Sequence, residues 1–411
     1  MTKPHVSKPA AGKGRVSRRG FLAAAGATAL AFTIVKPQSV RGMEANAKIE
    51  LGLVGCGGRG HWIGELFKKH GGYQFVAGAD YFEDRVKSFG DKFQVPAERR
   101  YTGLAACKRL CEGKLDAIVV ESPPYFHPDH AATGVAAGKH VYVAKPIAVD
   151  VPGCLTIGEA AEKATAAKRV FLADFQTRAD PIYREAVKRV HNGDIGRLVS
   201  GEAVYYCGDT WGNPTYDTAN AETCLRHWGV DKILSGDVIT EQNIHALDVA
   251  AWIVDEAPVK AVGACGRKSR TGSGNVNDHF AVVFTFPNDV LVNFTSKQYG
   301  DGYDDIGCRM FGPTGTIDTH YFGSVSIKGK TPYAGGNMGN LFTSGVEVNI
   351  ADFHKCITEG KFENATAAQG VRSNLTTILG RTAAYRKAEV TWDEMMKAKE
   401  KLPFDLKGLK A

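Results

Sequence analysis

Apolar positions set the outline of the chain. Ile49–Val54 is a short apolar run that reads as a strand buried on both faces. Phe75–Ala79, Ala117–Val120, His140–Val143 and Val170–Ala173 repeat that pattern. Between them lie stretches of helical period: a glycine-rich turn opening a helix that runs through Lys69, then Glu83–Phe93, Leu104–Glu112, Pro128–Ala137 and Gly153–Ala167. Short apolar strands alternating with helices predict an α/β fold with a doubly wound parallel sheet.

The period changes in the second half. Pro181–His191 and Ile239–Val254 read as single helices. From Val259 the pattern becomes strand-like over Val259–Arg267, His279–Phe286, Val290–Gln298, Cys308–Gly312 and Gly315–His320. Turn residues such as Phe286-Pro287-Asn288-Asp289 separate these runs, which predicts an α+β part with a mostly antiparallel open sheet. Helices return at Ile350–Glu359 and Ala367–Lys387, and the chain after Pro403 reads as extended.

Composition changes the picture at one end only. With 44% hydrophobic and 23% charged residues among 411, the chain is ordinary globular material. Its net charge of +7 first suggests a nucleic-acid partner. Residues 1–43, however, hold eight basic residues and no acidic one, so the rest carries about −1 and no basic footprint for DNA or RNA remains. Arg18-Arg19 precede Gly20-Phe21-Leu22 and an apolar run to Val35, the pattern of a twin-arginine export signal and hence of a periplasmic protein. Ala45-Asn46-Ala47 is a candidate cleavage site. An ordinary secretory signal or a retained anchor is the plainer reading of the same residues. No later stretch reaches about eighteen apolar residues, so no membrane span is expected in the mature chain. Nine cysteines without a C-x-x-C pair are expected to be free thiols, since twin-arginine cargo folds before export in a reducing compartment.

The turn after the first strand is Gly55-Cys56-Gly57-Gly58-Arg59-Gly60. The first glycine allows the tight turn, the second close backbone approach to a pyrophosphate, and the third close helix–strand packing. The phosphates would sit on free N–H groups at the helix N-terminus. Asp80 ends the next strand, where a carboxylate accepts from both ribose hydroxyls and repels a 2′-phosphate. NAD is favoured over NADP, although Arg59 or Arg85 could accommodate a phosphate. These residues predict a Rossmann domain over 48–173, preceded by a leader over 1–47. A substrate-binding and oligomerisation domain over 174–387 and a tail over 388–411 follow.

Two further segments supply candidate chemistry. Glu121-Ser122-Pro123-Pro124-Tyr125-Phe126-His127 follows one strand of the sheet, and Ala144-Lys145-Pro146 follows another. Both fall at carboxyl ends of strands, where such sheets bind ligands. The Lys145 ammonium can stabilise a developing alkoxide, while its plainer reading is a surface lysine before a turn. In Gly236–Asp248, Glu241 and His245 stand four apart at helical spacing, with Asp248 three further on. A histidine oriented by a carboxylate is a credible general base. Glu-x-x-x-His is also a possible metal pair, but it holds one histidine and no third ligand stands out. A helix with an internal His–Asp pair is the structural alternative. Residues 205–228, with Tyr205, Tyr206, Trp211, Tyr216, His227 and Trp228, read as a long loop over the cleft whose aromatic faces could stack on sugar rings.

The ordered set resembles the Gfo/Idh/MocA oxidoreductase family, which includes glucose–fructose oxidoreductase and inositol dehydrogenase. The match runs from about Lys48 to Lys387. It rests on Gly55–Gly60, Asp80, Ser122-Pro123 with His127, Gly138-Lys139-His140-Val141 leading into Lys145-Pro146, and Glu241 with His245 and Asp248. The resemblance implies NAD(P)-dependent oxidation or reduction at a hydroxyl or ketone of a sugar, glycoside or cyclitol, in a homodimer or homotetramer. It assigns Lys145 as the catalytic lysine, His245 as the acid/base and Glu241 beside them. Gly55, Gly57, Gly58, Arg59, Gly60, Asp80, Ser122, Pro123, His127 and Lys145 fall to the cofactor, and Arg178, Trp228, Lys145, Glu241 and His245 to the substrate. The main departure is Ala144, where the family usually carries Glu. Some exported relatives use bound NAD to cleave glycosides by transient oxidation. They typically replace the lysine–proline motif that this chain keeps. Export also implies a tightly retained cofactor, because free NAD(P) is scarce outside the cytoplasm.

Overall fold

The computed structural model describes residues 48–411. The twin-arginine pair, the apolar run and the candidate cleavage site lie outside the described residues.

The first half builds one sheet from β1 (Ile49–Val54), β2 (Tyr73–Asp80), β3 (Arg100–Thr102), β4 (Ala117–Val120), β5 (His140–Ala144) and β6 (Phe171–Asp174). Helices α1 (Gly58–His70), α2 (Glu83–Phe93), α3 (Ala106–Glu112), α4 (His127–Ala136) and α5 (Val151–Ala166) connect them. The order is β3-β2-β1-β4-β5-β6 with every pair parallel. All four residues of β4 and all five of β5 are buried, as expected for strands covered by helices on both faces.

Beyond β6 come α6 (Gln176–Ala179), α7 (Pro181–His191), β7 (Ser200–Cys207), α8 (Ala221–Arg226) and α9 (Lys232–Ser235). Then follow α10 (Asp237–Glu241), α11 (Ile244–Val254), β8 (Lys260–Gly266), β9 (His279–Phe286), β10 (Val290–Gln298), β11 (Asp305–Gly312), β12 (Gly315–His320), β13 (Ser324–Gly329) and β14 (Tyr333–Asn337). The chain closes with α12 (Leu341–Glu359), α13 (Thr366–Arg386), β15 (Val390–Thr391) and α14 (Trp392–Ala398). Nine strands form the second sheet in the order β14-β13-β12-β11-β7-β10-β9-β8-β15. Its pairs are antiparallel except β7 with β10.

Four local readings change. Tyr205 and Tyr206 lie in β7, an interior strand, rather than in a loop. The glycine-bearing β13 and β14 extend the sheet beyond the strands the sequence pattern suggests. α12 starts nine residues before Ile350, because Gly345 is not a breaker there: any Cβ at that position would press on Gln176 of α6. The single helix expected over Ile239–Val254 is broken at Gln242–Asn243. There the Asn243 N–H reaches back five residues to the Val238 carbonyl, a π-type widening that frequently accompanies functional sites.

α12 folds back onto the first sheet. Val346, Ile350 and Phe353 join the core made by Leu51, Phe67 and Tyr142, and the Phe353 ring meets Tyr142 edge-on at 5.6 Å. The amino-terminal sheet is therefore completed by a helix from the far end of the chain. Phe353→Ala is expected to destabilise the whole unit by about 3–5 kcal/mol, read as a lower midpoint in urea unfolding. An unchanged midpoint would show that this helix does not hold the sheet.

Candidate active site

β1 ends at Val54, and Gly55 turns the chain with φ +98. A Cβ on Gly55 would strike the backbone of Glu121, and one on Gly60 the Gly55 carbonyl, so both are glycine for want of space. Gly58 differs: a Cβ there meets nothing within 4 Å. The open side of Gly57 and Gly58 is the floor of a cleft of about 330 Å³, lined among others by Asp80, Phe82, Arg85, Ser122 and Pro123. Asp80 accepts from the Cys56 N–H at 2.7 Å and the Phe82 N–H at 2.9 Å. Burial raises its pKa, while those two bonds and the nearby Arg85 pull it back.

The second half of the chain roofs this cleft. Trp211 and Trp228, edge to face at 5.0 Å, line it together with Leu225 and Arg226. Arg226 forks onto Asp84 with two bonds of 3.1 Å and lies 3.9 Å over the Phe82 ring.

Further along the strand ends stands Lys145, at the exit of β5, before a cis bond to Pro146. Its Nζ donates to the Glu241 carbonyl at 2.6 Å and to Glu241 Oε1 at 3.3 Å. Burial lowers the Lys145 pKa, with Glu241 opposing. Glu241 Oε2 is buried without a partner. His245 faces the Tyr321 ring at 5.1 Å, and the Tyr321 hydroxyl is also buried and unpartnered. Burial first, and the Lys145 and Arg59 charges second, hold the His245 imidazole well below its ordinary pKa. It is neutral at pH 7 and free to accept a proton. The broken helix thus brings Glu241 to the lysine, with the His245 imidazole near enough to feel the Lys145 charge.

Residues 49–171 match the oxidoreductase family with an NAD-binding Rossmann fold, and residues 183–318 match the GFO/IDH/MocA C-terminal domain. The chain belongs to the Gfo/Idh/MocA family. A similar relative, the inositol 2-dehydrogenase of Acidothermus cellulolyticus, is 23% identical over 82% of this chain and 92% of its own. Among solved structures, the aldose-aldose oxidoreductase of Caulobacter crescentus superposes with a TM-score of 0.66 at 19% identity. A levoglucosan dehydrogenase in complex with NADH gives 0.68 at 16%. Each of these alignments covers 84% of this chain and 99% of the solved one.

Membership makes this an oxidoreductase, and the cleft fits NAD. Gly57 and Gly58 leave room at the N-terminus of α1, and Asp80 lines the same cleft. Of the two arginines considered for a 2′-phosphate, Arg59 is turned away onto Glu121 and Asp174, leaving Arg85 at the cleft wall.

Three assignments are corrected. Asp248 does not orient His245. It holds Arg178, whose Nε lies 2.9 Å from Oδ1. Arg178 in turn does not reach the lysine: its guanidinium is buried over Trp252 and donates to Ser373 at 3.3 Å. His127 is a staple rather than a cofactor contact, with ring nitrogens 2.8 Å from the Pro146 carbonyl and 2.6 Å from that of Ser122. Burial lowers its pKa to about 4. Trp228 is a wall of the cofactor cleft. His130, bonded to the Ser122 hydroxyl at 2.9 Å, and Tyr321 are site residues that sequence reasoning missed, as neither stands in a recognisable spacing.

Asp248→Ala would strand a buried guanidinium. A loss of about 3–5 kcal/mol in stability is expected, with NADH affinity of the folded fraction unchanged. Urea unfolding and fluorescence titration read the two effects separately, and unaltered stability would refute the assignment.

Proposed function

We propose that this protein is an exported oxidoreductase that interconverts a hydroxyl and a ketone on a sugar, glycoside or cyclitol, using NAD that it keeps bound. The convergence of Lys145, Glu241 and a neutral His245 carries this reading. The unpartnered Glu241 Oε2 and Tyr321 hydroxyl beside them suit a polyhydroxylated ligand. Relatives named inositol 2-dehydrogenase support that class of substrate.

His245 takes the proton from the reacting hydroxyl. The Lys145 ammonium steadies the oxygen as charge builds on it, and Glu241 holds the ammonium in place. Bound NAD supplies the hydride acceptor. Retention is supported by the roof of Trp211, Trp228 and Arg226 over the cleft. With the cofactor retained, a second carbonyl compound, or the product itself, takes the hydride back. Arg18-Arg19 support export by the twin-arginine route to the periplasm. A homodimer or homotetramer formed on the outer face of the second sheet is supported by exposed Val262 and Leu291, each 46% accessible.

Protein purified without added nucleotide, dialysed and denatured in acid, is expected to release close to one NAD(H) per chain; a folded but empty protein would refute retention. Lys145→Met and His245→Ala are each expected to lower kcat by about 10²–10⁴-fold with the cofactor still bound. Because burial and the neighbouring positive charges hold His245 below its usual range, activity should hold as pH falls through the ordinary histidine value and drop only beneath it. An acid limb near 6.5 would remove His245 as the base. Release of aglycone from aryl glycosides without a second substrate would favour the glycoside-cleaving alternative.

A further inference from the structure

Three strand ends of the first sheet carry a row of side chains on the α1 face. Parallel pairing sets Val120 beside Val143 and Ala144 beside Asp174, so Glu121, Ala144 and Asp174 stand abreast. Arg59, from the first turn of α1, spans the row. Its Nε donates to Glu121 Oε2 at 2.7 Å and its Nη2 to Asp174 Oδ2 at 3.0 Å. Because β5 runs between the two partner strands, the guanidinium crosses over Ala144, whose methyl group leaves it the room. Asn349 of α12 donates to the other Asp174 oxygen at 2.8 Å. One oxygen is left over: Glu121 Oε1 is buried without a partner, and Glu121 lines the cofactor cleft. An unmet buried acceptor is costly, so its place in a ligand cleft points to a ligand donor.

The strand order says which part of the ligand that is. Across β2, β1, β4 and β5 come Asp80, the glycine turn, Glu121 and Lys145. Asp80 takes the adenosine ribose and the glycines the pyrophosphate, so Glu121 falls to the nicotinamide half. The charges there do not cancel. Arg59 faces two carboxylates, while Lys145 and Glu241 form a neutral pair alongside. Tyr142 beneath them is an uncharged phenol whose pKa burial raises. One net negative charge therefore lies buried at the end of the cleft where the nicotinamide ring is cationic in NAD⁺ and neutral in NADH.

We propose that Glu121, held by Arg59 beside Asp174, is a positioning and selectivity residue that contacts the nicotinamide half through Oε1 and favours oxidised over reduced dinucleotide. This rests on the NAD-binding reading given above. Burial pushes the Glu121 carboxyl up to about 7, with Asp174 acting the same way and Arg59 and Lys145 opposing. Protonation cancels the net charge, so the preference for NAD⁺ is present above that pH and fades below it.

The test incubates the full-length protein with fixed mixtures of NAD⁺ and NADH at pH 6 and pH 8.5 until isotope-labelled nucleotide has replaced what was bound at the start. Free nucleotide is removed quickly, and the bound NAD⁺ and NADH are quantified after acid and alkaline extraction. The bound NAD⁺/NADH ratio, relative to the free ratio, is expected to be about tenfold higher at pH 8.5 than at pH 6, the scale of one screened unit charge. In Glu121→Gln, which keeps Lys145 and every histidine, the ratio is expected to be the same at both pH values. A wild-type ratio independent of pH would overturn the proposal, and needs no variant to fold. A pH dependence undiminished in Glu121→Gln, at a wild-type melting temperature, would assign the effect to another group and overturn it equally. Failure of either nucleotide to bind would instead remove the NAD-binding reading itself, and the proposal with it.

Discussion

One buried ion pair organises the site. Lys145 leaves the first sheet and ends on the carbonyl and carboxylate of Glu241, which belongs to the other half of the chain. A lone ammonium at this depth would shed its proton or pull in water. The partner must therefore come from the second half, so the two sheets are held in register by an electrostatic requirement as well as by packing. The break between α10 and α11 follows from it. A continuous helix would leave the Glu241 carbonyl hydrogen-bonded within the helix, whereas the widened turn releases that carbonyl to the lysine.

The same logic of matched burial extends outward. Arg178 with Asp248, and Arg59 with Glu121 and Asp174, are carboxylate–guanidinium groups whose carboxylates are fully buried, although the Arg59 side chain is partly exposed. Removing either partner is costly even where the pair adds little net stability. Each pair leaves one buried polar atom without a partner, Arg178 Nη1 in the first and Glu121 Oε1 in the second. Glu121 lines the glycine-turn cleft and Arg178 does not, and that difference in place separates scaffold from site. The second lies at the ends of β4 and β6, where the parallel sheet directs its side chains towards ligands, whereas the first joins α6 to α11.

Much of this was legible in the sequence because it is local. Gly55, Gly57, Gly58 and Gly60 announce themselves by spacing after a strand, and Asp80 by its place at the end of the next. Lys145, Glu241 and His245 come together as the ordered motifs suggested. What was not legible depends on contacts between distant segments. Asp248 stands three residues from His245, yet its partner is Arg178, seventy residues away. β7 was missed because Ser-Gly-Glu-Ala-Val alternates too briefly to stand out, and its position between β11 and β10 supplies the stability that its own sequence lacks. Ala144 looked like a lost carboxylate. In three dimensions it is the gap across which Arg59 ties Glu121 to Asp174.

The return of α12 to the first sheet has a consequence for the order of events at the ribosome. Val346, Ile350 and Phe353 cover a face that residues 49–174 leave bare when they emerge. The very end of the chain closes the same half, with the Lys410 carbonyl accepting from the Leu104 N–H at 2.9 Å. The amino-terminal half is thus unable to reach its final packing while synthesis is under way. Chaperones would meet an open apolar sheet until α12 has emerged, and any machinery that screens for a finished fold would have contacts between distant segments to read.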